Sequence, residues 1–190
     1  MASLSITART IRSPEQAKTQ ALVLLLPERK TLHQDVKALD AQLGGTISRS
    51  IKLGDFTGKA ASTLWLPGSA SAQRVLLVGC GDASSITASA AQKISEVAAK
   101  ALVASPAVDA IITLHALAAK LSAPSTLIEQ LSLQLSLAHY QYSQTLNQRK
   151  KPARALKRVT LAAGGTCSLG KAKAAAKMGS ATGQGANLTR

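Results

Sequence analysis

Arg74-Val75-Leu76-Leu77-Val78-Gly79-Cys80-Gly81 is the stretch that decides the fold. Its unbroken aliphatic run leaves no polar face, so the strand it forms must be covered on both sides. It closes on glycines and is followed by a pattern with helical spacing. Ile86, Ala90, Ile94, Val97, Ala101 and Leu102 share one face, with Ser89, Lys93, Glu96 and Lys100 opposite. A doubly covered strand that feeds an amphipathic helix is the repeating unit of a layered α/β domain.

Outward from this stretch the same grammar recurs. Ala21–Leu26 is apolar at every position and ends at Pro27, a second doubly covered strand, while Leu4, Ile6 and Ala8 alternate as an opening strand. Thr31 is placed to cap a helix carrying Leu32, Val36, Leu39 and Leu43, with Gly44 as its stop. Ile47, Ile51 and Leu53 read as an alternating strand. A Gly-bounded loop follows, then a strand at Thr63–Leu66 that ends at Pro67-Gly68.

Val108–Leu114 is a further strand, and Pro124 opens a helix lined by Leu127, Leu131, Leu135 and Ala138. Thr126 and Glu129 have capping-box spacing. Leu156–Ala162 reads as a strand, Gly164-Gly165 as a turn and Lys171–Met178 as a helix rich in Ala and Lys. Ser143–Arg154 is the expected exposed excursion, and the Gly-rich tail from Gly179 is expected to fray. The strands near Gly54 should pair antiparallel. The expected fold is therefore an α/β three-layer sandwich, a mixed sheet flanked by helices on both faces.

The 190 residues suit one domain, and 46% apolar content with only 2% aromatic residues implies an aliphatic core. No apolar run approaches the roughly 18 residues of a membrane span. Ala21–Leu26 is short and follows mostly polar residues, the wrong layout for a signal peptide, so a soluble cytoplasmic chain is expected. Cys80 and Cys167 form no framework of bridges, and Cys80 reads as a small core residue. His33, His115 and His139 lack ligand spacing, and no two acids lie within three positions of each other. No catalytic residue, cofactor site or metal site is expected in this chain.

Charge is the second signal. Lys and Arg number 23 against 9 Asp and Glu, a formal charge of +14, and no acid follows Glu129. The candidate nucleic-acid-binding residues are Arg149, Lys150, Lys151, Arg154, Lys157 and Arg158, with Lys171, Lys173 and Lys177 as a further set. Alternation in the strand would turn Lys157 and Arg158 to opposite sides. A solvated basic surface is the plainer alternative. With Phe56, Trp65, Tyr140 and Tyr142 as the only aromatics, duplex binding through phosphates fits better than single-strand stacking.

Three glycine motifs invite sharper readings. Gly165-Thr166-Cys167-Ser168-Leu169-Gly170-Lys171 has phosphate-loop spacing between a strand and a helix, but Ala172 stands where a magnesium-binding hydroxyl is needed. Gly54–Lys59 is one residue short of that motif and is followed by Ala60. Gly79-Cys80-Gly81 begins a dinucleotide fingerprint whose third glycine position is Ser84. Each reads more simply as a backbone turn.

As an ordered set, Leu43-Gly44-Gly45, Gly54-Asp55-Phe56-Thr57-Gly58-Lys59, Arg74–Gly81 and Gly185-Ala186-Asn187-Leu188-Thr189-Arg190 resemble the amino-terminal domain of the leucyl (cytosol) aminopeptidases. Tyr140 and Tyr142 before Lys150-Lys151 fit the same resemblance. It implies a macro-domain-like α/β sandwich at residues 1–178, with 179–190 beginning the linker to a catalytic domain. It also implies that this catalytic domain, rather than the present chain, holds two divalent metals, manganese or zinc, and removes amino-terminal residues, leucine preferentially. The implied partners are that catalytic domain, the other subunits of a homo-hexamer and, in some bacterial members, DNA. A stand-alone DNA-binding module and a macro-domain-type small-ligand binder are the alternative readings.

Overall fold

The computed structural model describes residues 4–28, 32–117, 121, 123–140, 156–163, 165 and 167–188. Its strands are β1 (Ser5–Arg9), β2 (Thr19–Leu26), β3 (Thr63–Pro67), β4 (Ala72–Gly79), β5 (Asp109–Thr113) and β6 (Arg158–Ala162). Its helices are α1 (Gln34–Gln42), α2 (Thr46–Leu53), α3 (Ala88–Ala104), α4 (Pro124–His139) and α5 (Leu169–Leu188). The strands form one six-stranded sheet in the order β1-β6-β5-β2-β4-β3. All neighbours are parallel except β3, which runs antiparallel to β4.

Alternation along β2 splits the core in two. Leu22, Leu24 and Leu26 face α1 and α2, meeting Val36, Leu39, Ile47, Val75 and Leu77. Val23 and Leu25 face the other way and join Leu76, Val78, Ile112, Val159 and Leu161 beneath α3, α4 and α5. The expected three-layer mixed α/β fold is thus the observed one. Nearly every buried side chain is aliphatic, as the scarcity of aromatics requires.

Three local expectations are corrected. Ile47, Ile51 and Leu53 belong to α2, not to a strand. Ile47 and Ser50 are buried and Ile51 half-buried, a 3–4 residue spacing, whereas Leu53 is 71% exposed. The antiparallel pair near Gly54 is therefore β3 with β4. Pro124 does open α4, but the helix caps on Ala123 without a side-chain hydrogen bond, so Thr126 and Glu129 form no capping box.

The tail from Gly179 is the third correction, since α5 continues unbroken to Leu188. Its small residues are what let it pack. A Cβ on Gly179 would stand 2.1 Å from the Glu129 carbonyl oxygen, and one on Gly183 would stand 2.6 Å from the Ser136 Cβ. Asn187 Nδ2 donates to the Ser136 carbonyl at 3.1 Å, fixing the far end of α5 on α4. Thr31, Gly164 and the expected excursion at 143–154 lie outside the described residues.

Candidate functional site

Two of the phrases that carried the resemblance, Gly54–Lys59 and Arg74–Gly81, meet at one end of the sheet. Pro27 and Glu28 follow β2, Gly79–Gly81 closes β4, and Gly54–Lys59 leads from α2 towards β3. Backbone bonds interlock the three segments. Cys80 N donates to the Leu26 carbonyl at 2.8 Å, Gly81 N to that of Gly58 at 2.9 Å, and Glu28 N to that of Gly81 at 2.9 Å. Ala61 N donates to the Gly79 carbonyl at 2.9 Å and Gly79 N to that of Ser62 at 2.8 Å. The glycines are needed for contact. A Cβ on Gly79 would meet the Lys59 carbonyl oxygen at 2.1 Å, and one on Gly58, at φ 76°, would meet that of Pro27 at 2.6 Å.

Leu43-Gly44-Gly45 has a comparable role nearby. Both glycines have positive φ, and the turn lets Asp40 of α1 reach the start of α2. These loops use main-chain groups, with Phe56 buried and Asp55, Thr57 and Lys59 exposed. The cavity between Leu26, Pro27, His33, Phe56 and Gly58 holds about 20 Å³. That is space for about one water, far below the hundreds of cubic ångströms of a small-molecule site.

The phosphate-loop look-alike is also a turn. Ser168 precedes α5 and acts as its cap, with Oγ 3.4 Å from Lys171 N. Ala172, at the position of the missing hydroxyl, is buried in the core under α4 and α5. Cys80 is buried, and desolvation pushes its thiol up from 9.0 to about 12. Cys167 is half-buried and free.

His115 Nε2 donates to the Ile11 carbonyl at 2.8 Å and His139 Nε2 to that of Leu156 at 3.0 Å, so each ties loop backbone in place. Among the described residues no three His, Cys, Asp or Glu side chains come together to hold a metal ion. The residues present therefore do not fit a metal centre, and no chemical step is assigned to them.

Of the candidate basic residues, Arg149, Lys150, Lys151 and Arg154 lie outside the described residues. Lys157 and Arg158 are exposed at the amino end of β6, where Lys157 N donates to the Val108 carbonyl at 2.7 Å. Val159 is buried beneath the helices, so Arg158 faces the opposite side of the sheet. Ser5, Thr7 and Arg9 of β1 are exposed there too, with Ser5 opposite Arg158. Arg9 therefore joins Arg158 on one sheet face, although the sequence reading had not singled it out; on that face Thr160 is half-buried and Ala162 buried. Lys173 and Lys177 stand one turn apart on α5, and Lys171 points elsewhere.

This geometry defines a mixed α/β domain whose distinctive loops serve as backbone joints rather than as holders of reactive side chains. Residues 22–149 match the model described as the cytosol aminopeptidase family, N-terminal domain. The chain belongs to that family.

A probable cytosol aminopeptidase of Nitrosococcus oceani is 34% identical over 189 residues, 95% of this chain and 36% of that protein. One of Halorhodospira halophila is 30% identical over 179 residues, 93% of this chain and 36% of that protein. The chain thus spans little more than a third of the length of the curated relatives it matches. Among solved structures, a mutant of tomato leucine aminopeptidase superposes with a TM-score of 0.79 at 20% identity, covering 99% of this chain and 37% of that one. The bottromycin maturation enzyme BotP in complex with Mn gives 0.63 at 18% identity, covering 90% and 31%.

Proposed function

We propose that this chain is the non-catalytic amino-terminal part of a metal-dependent leucyl aminopeptidase, with a structural role in assembly. The interlocking of the Gly54–Lys59 loop with the ends of β2 and β4 carries this reading, because it commits the family phrases to backbone joints. In this proposal the catalytic part holds two divalent metals, manganese or zinc, and the whole protein is a cytoplasmic homo-hexamer. Residues 179–190 begin the linker to the catalytic part, and as far as Leu188 they are the last turns of α5. The test is turnover of leucine p-nitroanilide with added manganese by the 190-residue chain, alongside light scattering. A folded, inactive chain that scatters as a monomer or weak oligomer is expected. Turnover that survives repurification, or a stable hexamer, would overturn the reading.

A second role, duplex DNA binding, is supported by the exposure of Arg9 and Arg158 on one face of the sheet. Arg149, Lys150, Lys151 and Arg154 complete the proposed surface, with Lys157 turned to the other side of the strand, and the surface contacts phosphates with little base preference. Affinity should then fall with salt by a slope of about −0.9 per phosphate contacted. Replacing Arg149, Lys150, Lys151 and Arg154 by Ala should flatten that slope in fluorescence anisotropy, and Arg9→Ala with Arg158→Ala should flatten it further. An unchanged slope in both variants would leave only a solvated basic surface.

A further inference from the structure

At the opposite flank of the sheet, β3 is an edge strand with one unpaired side among the described residues. Gly79 N donates to the Ser62 carbonyl and Gly68 N to that of Gln73, so the residues bonded to β4 are Ser62, Leu64, Leu66 and Gly68. By the antiparallel alternation, the amides and carbonyls of Thr63 and Trp65 point out to the free edge. Pro67, which has no amide proton, closes it.

Trp65 lies opposite Leu76 and Pro67 opposite Arg74, so all four share the face that α3 covers. Here α3 stops short, leaving an open groove of about 540 Å³ between Trp65, Pro67 and Arg74 on the sheet and Ala101, Ala104 and Pro106 at the helix end. Trp65 is 38% exposed in it. Among the described residues Arg74 is the only charged one lining the groove, and its Nε is buried with no hydrogen-bond partner. The carboxyl end of α3 lies in the same wall, and its dipole favours a cation there without satisfying the guanidinium's donors.

We infer that this edge and groove form a docking site for an extended acidic segment of a partner protein. The segment pairs with the free edge of β3, lays an apolar side chain against Trp65 and sets a carboxylate on the Arg74 guanidinium. Each part has its physical reason. An open sheet edge supplies main-chain hydrogen bonds to an added strand, and alternate side chains of that strand then reach the groove. Tryptophan and arginine are the residues that most often anchor such contacts. Arg74 is partly exposed in the groove, and a carboxylate can take two of its remaining donors at once. A second copy of this chain is the poorer occupant, because each copy carries +14.

The probe is a fluorescein-labelled six-residue peptide, capped at both ends, in which Thr fills every second position and Val and Glu alternate along the other face. Its controls are the same peptide N-methylated on alternate amides and a block peptide that carries all its Val side chains on one face and all its Glu side chains on the other. Anisotropy at physiological salt should show saturable binding of the alternating peptide, weakened about tenfold by Arg74→Gln and by Trp65→Ser. Amide exchange should show protection of Thr63 and Trp65 on binding, which loose attraction to a basic surface does not produce. Equal binding of the block peptide, or binding without protection at Thr63 and Trp65, would overturn the inference. Protection of those amides that grows with protein concentration alone would instead assign the edge to a second copy.

Discussion

The carboxylate of Asp40 accepts the amide of Ile47 at 2.9 Å, so α1 provides the cap that α2 lacks. The residue at the N-cap position is Gly45, which has no side chain to offer. Asp40 also accepts from Ser48 N at 3.2 Å and from the Ser48 hydroxyl. Asp40→Ala should therefore cost about 1–3 kcal/mol, and Asp40→Asn, which keeps one acceptor oxygen, should cost less. Urea unfolding followed by circular dichroism measures both, and equal midpoints for parent and alanine variant would show the cap to be idle.

The glycines of the interlocked loops should separate by space as well as by backbone angle. Gly79→Ala pushes a methyl into the Lys59 carbonyl and should cost about 3 kcal/mol. Gly44 has φ 63° with nothing within 4 Å of a new Cβ, so Gly44→Ala should cost only the left-handed strain, about 1–2 kcal/mol. The order of the two unfolding midpoints is the check. A reversed order would mean that the loops can move apart without loss.

Within α5 the same reasoning gives opposite signs. Gly179→Ala forces α5 off the Glu129 carbonyl and should destabilise, whereas Gly185 has open space and should gain about 0.5–1 kcal/mol as Ala. Thermal melts of the two variants decide this. A neutral Gly179→Ala would place the α4–α5 contact elsewhere.

Cys80 and Cys167 should differ in reactivity and in pH dependence. Only the thiolate attacks alkylating reagents, so iodoacetamide at neutral pH should label half-buried Cys167 first and leave Cys80 untouched until the chain unfolds. Above pH 9.0 an unfolded chain loses the Cys80 proton while the folded one keeps it to about 12. The thiol's contribution is thus complete below pH 9.0 and is lost through that window, by at most about 1.4 kcal/mol per pH unit. Cys80→Ala should remove that part of the slope in alkaline urea titrations. Identical slopes in parent and variant would contradict the burial effect.

The two central strands were legible because Ala21–Leu26 and Val75–Val78 have no polar face, and only burial on both sides fits that pattern. The segment Ile47–Leu53 misled because periods of two and of three to four share positions over so few residues. The arrangement that hides Ile47 and leaves Leu53 bare comes from Asp40 and α1, which are set by tertiary contact. In α5 the glycine content resembled a loop, yet close approach to α4 is what those glycines provide.

The site was less legible than the fold. The loop phrases were visible in sequence, but their mutual hydrogen bonds join residues far apart in the chain. Alternation places Arg9 and Arg158 each on one side of a strand, but that they share a face depends on how β1 pairs with β6. Arg74 stands at the head of an apolar run and gave no sign that α3 would stop short of it.

β1 is the first strand of the chain and β6 the last, and they lie side by side with Ser5 opposite Arg158 and Arg9 opposite Ala162. Closing a loop of nearly the whole chain must precede this pairing, which makes it a slow, late event in folding. During synthesis the first strand waits for its partner while the rest of the sheet is already assembling. A chain deprived of its first nine residues would expose β6 as the new sheet margin, with the wholly buried Val159 and Leu161 in it. That margin is a template for aggregation, so β1 serves as the latch that covers it.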